Sequence, residues 1–181
     1  MQAALDAAAN TVPTSLNGCW ILDRTKGSPS MRGYLETMGV DELAIQAHEK
    51  GDQENATYHT ITLDDVSVHI VKRSRVNNDT VVDLQLGQEV TVHLPPGDRP
   101  KKSLATSNHG GHLEIRSSLQ TMNGLASVVD IKTLQKEGEQ VYLVQNLTIT
   151  NEGNGTTHAT TRWFLPYTQT PPHLAALPGT A

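Results

Sequence analysis

Apolar and polar residues alternate with a period of two over most of this chain, and with a period near 3.6 over one short stretch close to its start. The alternation predicts strands at 16–24, 56–63, 66–73, 80–86, 88–94, 101–107, 112–120, 125–135, 140–149 and 156–165. Turn chemistry separates most of them: Asp64-Asp65, Asn77-Asn78-Asp79, Pro95-Pro96-Gly97-Asp98, Asn108-His109-Gly110-Gly111, Asn123-Gly124, Lys136-Glu137-Gly138-Glu139 and Asn151-Glu152-Gly153-Asn154-Gly155. Leu86-Gly87 has no hairpin chemistry, so a gap between neighbouring strands is expected there.

Between Ser28 and Gly51 the period is helical. Ser28-Pro29 reads as an N-cap followed by proline at the first helical position. Met31, Tyr34, Leu35 and Met38 recur on one face, and Gly39 ends that helix as a left-handed cap. Asp41 is expected to cap a second helix, with Val40 and Ile45 as a hydrophobic staple and Lys50-Gly51 as its end. Both helices are too short to stand alone in water, so both must lie on apolar surface. The predicted architecture is mostly β: a ten-stranded antiparallel up-and-down β-barrel with a helix-turn-helix lid after the first strand, its edges removed by closure. A lidded barrel of this size is built around a ligand.

The flanks differ in composition. Residues 1–14 read as an Ala-rich arm, a short helix or a frayed end, and residues 15–165 as the barrel domain. Residues 166–181, with Pro166, Pro171, Pro172 and Pro178, read as a Pro-rich tail that holds neither helix nor sheet. Met1–Ala9 lacks the basic and sustained apolar regions of a secretory leader.

Composition narrows the partners. Hydrophobic residues make up 36% and aromatics 4%, thin for a tightly packed sandwich but sufficient for a barrel with a partly polar interior. The formal net charge of −5, without a Lys/Arg block, argues against a nucleic-acid partner. Cys19 is the only cysteine, so no intrachain disulfide forms and a reducing, cytoplasmic setting is expected. Asn-x-Thr sequons at Asn55, Asn78, Asn146 and Asn154 pull toward secretion, but Asn- and Thr-rich turns produce them by chance.

Candidate chemistry is sparse. His158, Thr160, Arg162 and Phe164 share one face of the last strand. If that face points inward, Arg162 is a buried cation awaiting a carboxylate; alternatively it points outward, or pairs internally with Asp130. Lys132, in an apolar-leaning run, is expected to be solvated. Trp20 is expected to plug the barrel base. His109 and His112 flank two glycines, and His59, His69 and His93 sit on separate strands, so no metal site is expected. No nucleophile elbow, P-loop or Cys–His pair is present, and no catalytic residue is assigned.

The motifs in order resemble the intracellular lipid-binding proteins, the fatty-acid-binding and cellular retinoid-binding group of the calycins. Leu16-x-Gly18-x-Trp20-x-Leu22 resembles that family's opening strand, and Tyr34-Leu35-x-x-Met38-Gly39-Val40 its first lid helix. Leu86-Gly87-Gln88-Glu89-Val90 resembles the segment at its strand gap. Asp98-Arg99-x-x-Lys102-Ser103-Leu104-x-Thr106 with Gly110-Gly111 resembles the next hairpin, and Arg162-x-Phe164 falls where the family has Arg-x-Tyr.

The resemblance implies non-enzymatic binding and transport of a long-chain fatty acid or similar amphiphile in the barrel, by a monomer with at most weak or transient membrane contact and no cofactor. It implies ligand contacts from Arg162, Phe164 and Lys132, and from Met31, Tyr34, Leu35 and Met38 over the mouth. Phe164 lacks the family tyrosine's hydroxyl, which leaves room for a retinoid- or pigment-like ligand. The segment from Lys26 to Gly51 carries Lys26, Arg32 and Lys50 against Glu36, Asp41, Glu42 and Glu49, a poor docking face for anionic lipid. Two other readings stay open: a secreted lipocalin-type carrier, and an isomerase or oxygenase on the same barrel using a histidine as acid or base.

Overall fold

A computed structural model describes residues 13–74, 79–94, 97–108 and 110–169. The chain order is β1 (Gly18–Gly27), α1 (Arg32–Thr37), α2 (Glu42–Glu54), β2 (Tyr58–Leu63), β3 (Ser67–Arg73), β4 (Asp79–Gln85), β5 (Glu89–Leu94), β6 (Arg99–Asn108), β7 (His112–Thr121), β8 (Gly124–Glu137), β9 (Gln140–Asn151) and β10 (Thr157–Pro166). All ten strands stand where the alternation puts them. They form one antiparallel sheet in the order β4-β3-β2-β1-β10-β9-β8-β7-β6-β5, wrapped into a nearly closed barrel.

The opening lies between β4 and β5, at the expected Leu86-Gly87 break. There Leu86 makes an isolated parallel bridge to Ala105, and the Gly87 N–H donates to the Ala105 carbonyl at 2.8 Å. Backbone hydrogen bonding across the gap therefore reaches β6, and β4 and β5 stay unpaired with each other as the two ends of the sheet.

The helix pair departs from expectation at both ends. Ser28 does not cap a helix: its N–H donates to the Thr161 carbonyl at 2.8 Å, and its hydroxyl accepts from the Thr161 N–H at 3.0 Å. The sheet ladder outcompetes the capping motif, and α1 starts at Arg32 without a side-chain cap. A register shift between Asp23 and Gly27 swings the chain out of the sheet toward the helices. Gly27, at φ +68°, has no room for a β-carbon against the Thr161 carbonyl.

Gly39, at φ +77°, does end α1. Its N–H donates to the Glu36 carbonyl at 2.9 Å, and Val40 N–H to Leu35 at 3.0 Å, a Schellman arrangement. Asp41 caps α2, accepting from the Ala44 N–H at 3.0 Å. The second helix does not close at Lys50-Gly51 but runs to Glu54, where Asn55 donates from backbone and side chain to the Gly51 carbonyl. Asp52, the residue after the expected end, anchors the extension by accepting from the Thr57 hydroxyl at 3.0 Å and Arg24 at 3.4 Å.

β10 runs on to Pro166, opposite Trp20, and the Tyr167 N–H donates to the Cys19 carbonyl at 2.8 Å. The ladder thus enters the stretch expected as the Pro-rich tail. The expectations for residues 1–12 and 170–181, and for His109 and Asn78, lie outside the described residues. No described helix is long and apolar enough to cross a membrane.

Two apolar clusters divide the interior. One gathers Trp20, Ile61, Ile70, Leu113, Leu143 and Phe164 with their neighbours. Trp20 is 1% exposed there and donates from its indole N–H to the Leu16 carbonyl at 2.8 Å. The other joins Leu119, Ala126, Val128, Leu147 and Ile149 to Met31, Tyr34 and Met38 of the α1 region.

Candidate functional site

Between the two clusters the inward positions of successive strands turn polar. Along β9 the buried side chains run Leu143, Gln145, Leu147; along β7, Ile115, Ser117, Leu119; along β8, Val128, Asp130, Lys132. His59 on β2, Ser103 on β6, and Thr160 and Arg162 on β10 complete a belt of buried polar groups. Pairing aligns it: Lys132 faces Gln145, Gln145 faces Arg162, and His59 faces Lys72.

Arg162 takes the inward one of the two faces left open by the sequence. It is 7% exposed, its Nε has no partner, and the guanidinium carbon lies 5.6 Å from the Phe164 ring centre. It does not pair with Asp130. Burial pulls its pKa down, with Asp52 opposing, Arg24 adding to the fall and Asp130 opposing. A guanidinium stays charged in proteins regardless.

Lys132 is not solvated as expected but fully buried. Its ammonium lies 2.6 Å from both Asp130 carboxylate oxygens, and Gln145 Nε2 donates to Asp130 Oδ1 at 3.0 Å. Lys72 approaches the same carboxylate at 3.5 Å. Burial alone would raise the Asp130 pKa, but Lys132 and Lys72, with hydrogen bonds from Lys132 and Gln145, hold it well below the usual carboxylate range. Burial pushes the Lys132 ammonium down to about 8, against Asp130 and with the help of Lys72. The asymmetry has a simple cause: one carboxylate stands among several cations.

His59 stacks on Phe164 with ring centres 4.4 Å apart, and its Nδ1 has no partner. Burial, then Lys72, Lys132 and Arg162, drive its pKa well below the ordinary value, so the ring is neutral. Lys101 is lowered by burial and then by Lys72. The Tyr34 hydroxyl is pushed up to about 12 by burial and by Asp130.

These groups open on a cavity of about 190 Å³. Its wall is charged and polar at Lys72, Lys101, Asp130, Gln145 and Arg162, with Ser103 and Ser117. It is apolar at Met31, Val82, Ile115, Val128 and Leu147. Two larger clefts, of about 290 and 330 Å³, are more open to solvent. The first lies between α1 and the turns before β8 and β10, the second over β6–β8. The inner cavity combines enclosure with charge and is the candidate site.

Of the sequence candidates, Arg162, Met31 and Tyr34 line this cavity. Lys132 lies behind Asp130, Phe164 packs beneath in the apolar cluster, and Met38 belongs to the upper one. Leu35 joins neither cavity nor cluster. Lys72, Lys101, Gln145, Ser103 and Ser117 were not anticipated. A polar residue at an inward step of an alternating strand is the only signal they carry, and it is readable only once the inward face is known. Among the described histidines, His69 stands beside Asp83 and His93 3.1 Å from Asp98. Among the described sequons, Asn146 accepts from the Thr161 hydroxyl and Asn154 from the Thr156 N–H.

No family model and no curated protein matches the sequence. Solved structures share the fold. Apo lipid binding protein 8 of Caenorhabditis elegans superposes with a TM-score of 0.62 at 18% identity, covering 87% of this chain and 99% of that one. A fatty acid binding protein of Schistosoma mansoni, in complex with arachidonic acid, gives 0.58 at 14% identity, with coverage of 85% and 97%. Secretory abundant heat soluble protein 4 of Ramazzottius varieornatus gives 0.57 at 17%, covering 86% and 97%. The chain thus has the ten-stranded barrel fold of the intracellular lipid-binding proteins, shared also by a secretory protein.

Proposed function

We propose that this protein binds and carries an anionic amphiphile inside its barrel, without catalysing a reaction, its anionic end at Arg162 and its apolar part toward Met31, Tyr34, Val128 and Leu147. The observation that carries this is Arg162: a buried guanidinium with an unpartnered Nε at the wall of an inner cavity that Met31, Val82, Ile115, Val128 and Leu147 also line. A buried guanidinium that Asp52 and Asp130 influence only from beyond ion-pair distance is costly, and an entering carboxylate or similar anion relieves that cost through bidentate hydrogen bonds. Burial of the apolar part adds about 0.8 kcal/mol per methylene.

Size favours a compact or medium-chain ligand. The cavity of about 190 Å³ falls below the ~300 Å³ at which ligand pockets usually begin. A long acyl chain would need α1 and the upper apolar cluster to move apart. The names of the fold neighbours support a lipid-binding reading.

Native mass spectrometry of gently purified protein, followed by calorimetric titration with fatty acids of increasing length, tests the reading. Retention of an anionic amphiphile, and weaker binding by Arg162→Ala, are expected. Equal binding by Arg162→Ala would remove the arginine from the site, and turnover of a retained ligand would replace the carrier reading with an enzymatic one.

A further inference from the structure

The cavity holds more positive charge than a fatty acid can answer. Lys72, Lys101 and Arg162 line it with Asp130 as the one lining carboxylate, and Asp52, which also acts on Arg162, is already engaged by Arg24 and the Thr57 hydroxyl. The Asp130 carboxylate is engaged too, both oxygens by Lys132 at 2.6 Å and Oδ1 also by Gln145. Lys72 reaches it only at 3.5 Å, while Lys101 and Arg162 form no ion pair with a described residue. One carboxylate head would leave part of this charge uncompensated in a space where water screens poorly.

We propose that the cavity takes an amphiphile whose head is a dianion of the phosphomonoester type, held jointly by Arg162, Lys101 and Lys72. This rests on the reading of the barrel interior as the ligand site. Three terminal oxygens on one tetrahedral centre suit cations that line one small cavity from three different strands, β3, β6 and β10, which a dicarboxylate with separated charges does not. The hydroxyls of Ser103 and Ser117 are bonded to each other at 2.8 Å. That bond uses one hydroxyl proton of the pair and leaves the other to donate into the cavity. Ser103 follows Lys101 by two residues on β6, so the two side chains share the inward face.

The test compares heads of one shape and different charge. The full chain is titrated calorimetrically with hexyl phosphate, hexyl sulfate and inorganic phosphate at about pH 7.5, above the second ionisation of a phosphomonoester near 6. Hexyl phosphate is expected to bind about tenfold more tightly than hexyl sulfate. Lys101→Met should bring the two to near parity and Lys101→Arg should keep the preference, with unchanged melting temperatures confirming the fold of both variants.

Equal affinity for hexyl phosphate and hexyl sulfate in the parent protein would overturn the dianion proposal while leaving the carrier reading intact. Binding of neither alkyl ligand would overturn both. Inorganic phosphate binding as tightly as hexyl phosphate would keep a dianion site and overturn the amphiphile.

Discussion

Asp130 and Lys132 stand two residues apart on β8 with both side chains inside the barrel, and the lysine ammonium lies 2.6 Å from each carboxylate oxygen. Lys132 is fully buried and Asp130 5% exposed, so neither charge can turn to water if the other is lost. Truncating one partner of such a pair costs about 3–5 kcal/mol, whereas replacing both with apolar groups of similar size is often neutral. Asp130→Ala is therefore expected to lose stability in that range in urea unfolding. A double variant, Asp130→Leu with Lys132→Met, should recover most of the loss. Equal losses in the two would mean that the pair acts through packing and not through charge.

The same pair sets the acid limb of stability. Asp130 is held well below the ordinary carboxylate pKa in the folded state, so folding favours its ionised form. Its contribution is present above the unfolded pKa, near 3.9, and is lost as pH falls through that value toward the lower folded one. Unfolding midpoints measured from neutral to strongly acid pH should fall more steeply in the parent protein than in the Leu/Met double variant. Parallel curves would contradict the assignment.

The ten strands were legible because their turns carry Asn-Gly, Pro-Gly and Asp chemistry that few other conformations use. The start of α1 was not, because Ser28-Pro29 suits a helix cap locally and Ser28 is claimed by β10, a partner 133 residues away. The end of α2 was missed because Gly51 is an ordinary stop signal, overridden by Asp52 anchoring on Arg24 and Thr57. At the site, Arg162 was readable as one of two faces. Lys72 and Lys101 were not, since a lysine in an alternating strand has the same local pattern whichever way it points. The low hydrophobic content was an honest signal of the polar belt, without locating it.

Gly33 lies in α1 directly against His158 of β10, and a β-carbon there would overlap the imidazole. Gly33→Ala should therefore destabilise the protein by about 1 kcal/mol, the low end of the cost of overpacking, as the part-exposed ring is displaced from under the helix. In a His158→Ala background the obstruction is gone. The same substitution should then stabilise by up to about 1 kcal/mol, because alanine is the better helix former. Thermal unfolding of the four proteins reads the reversal of sign. The same sign in both backgrounds would show that the close approach does not hold α1 in place.

Arg32 ties the two helices together. From α1 it pairs with Glu49 at 2.6 Å and Glu42 at 3.1 Å on α2, and with Glu36 at 3.3 Å on its own helix. The side chains α2 buries are Ile45 and Asp52, so it has little apolar grip on the barrel. Its attachment thus depends on charges exposed enough to be screened by salt. Arg32→Ala should speed amide hydrogen exchange in α2 severalfold and leave the barrel strands unchanged. Added salt should move the parent protein toward the variant, because it weakens the same pairs. Exchange in α2 that responds to neither change would place its attachment in Ile45 and the Asp52 anchor alone.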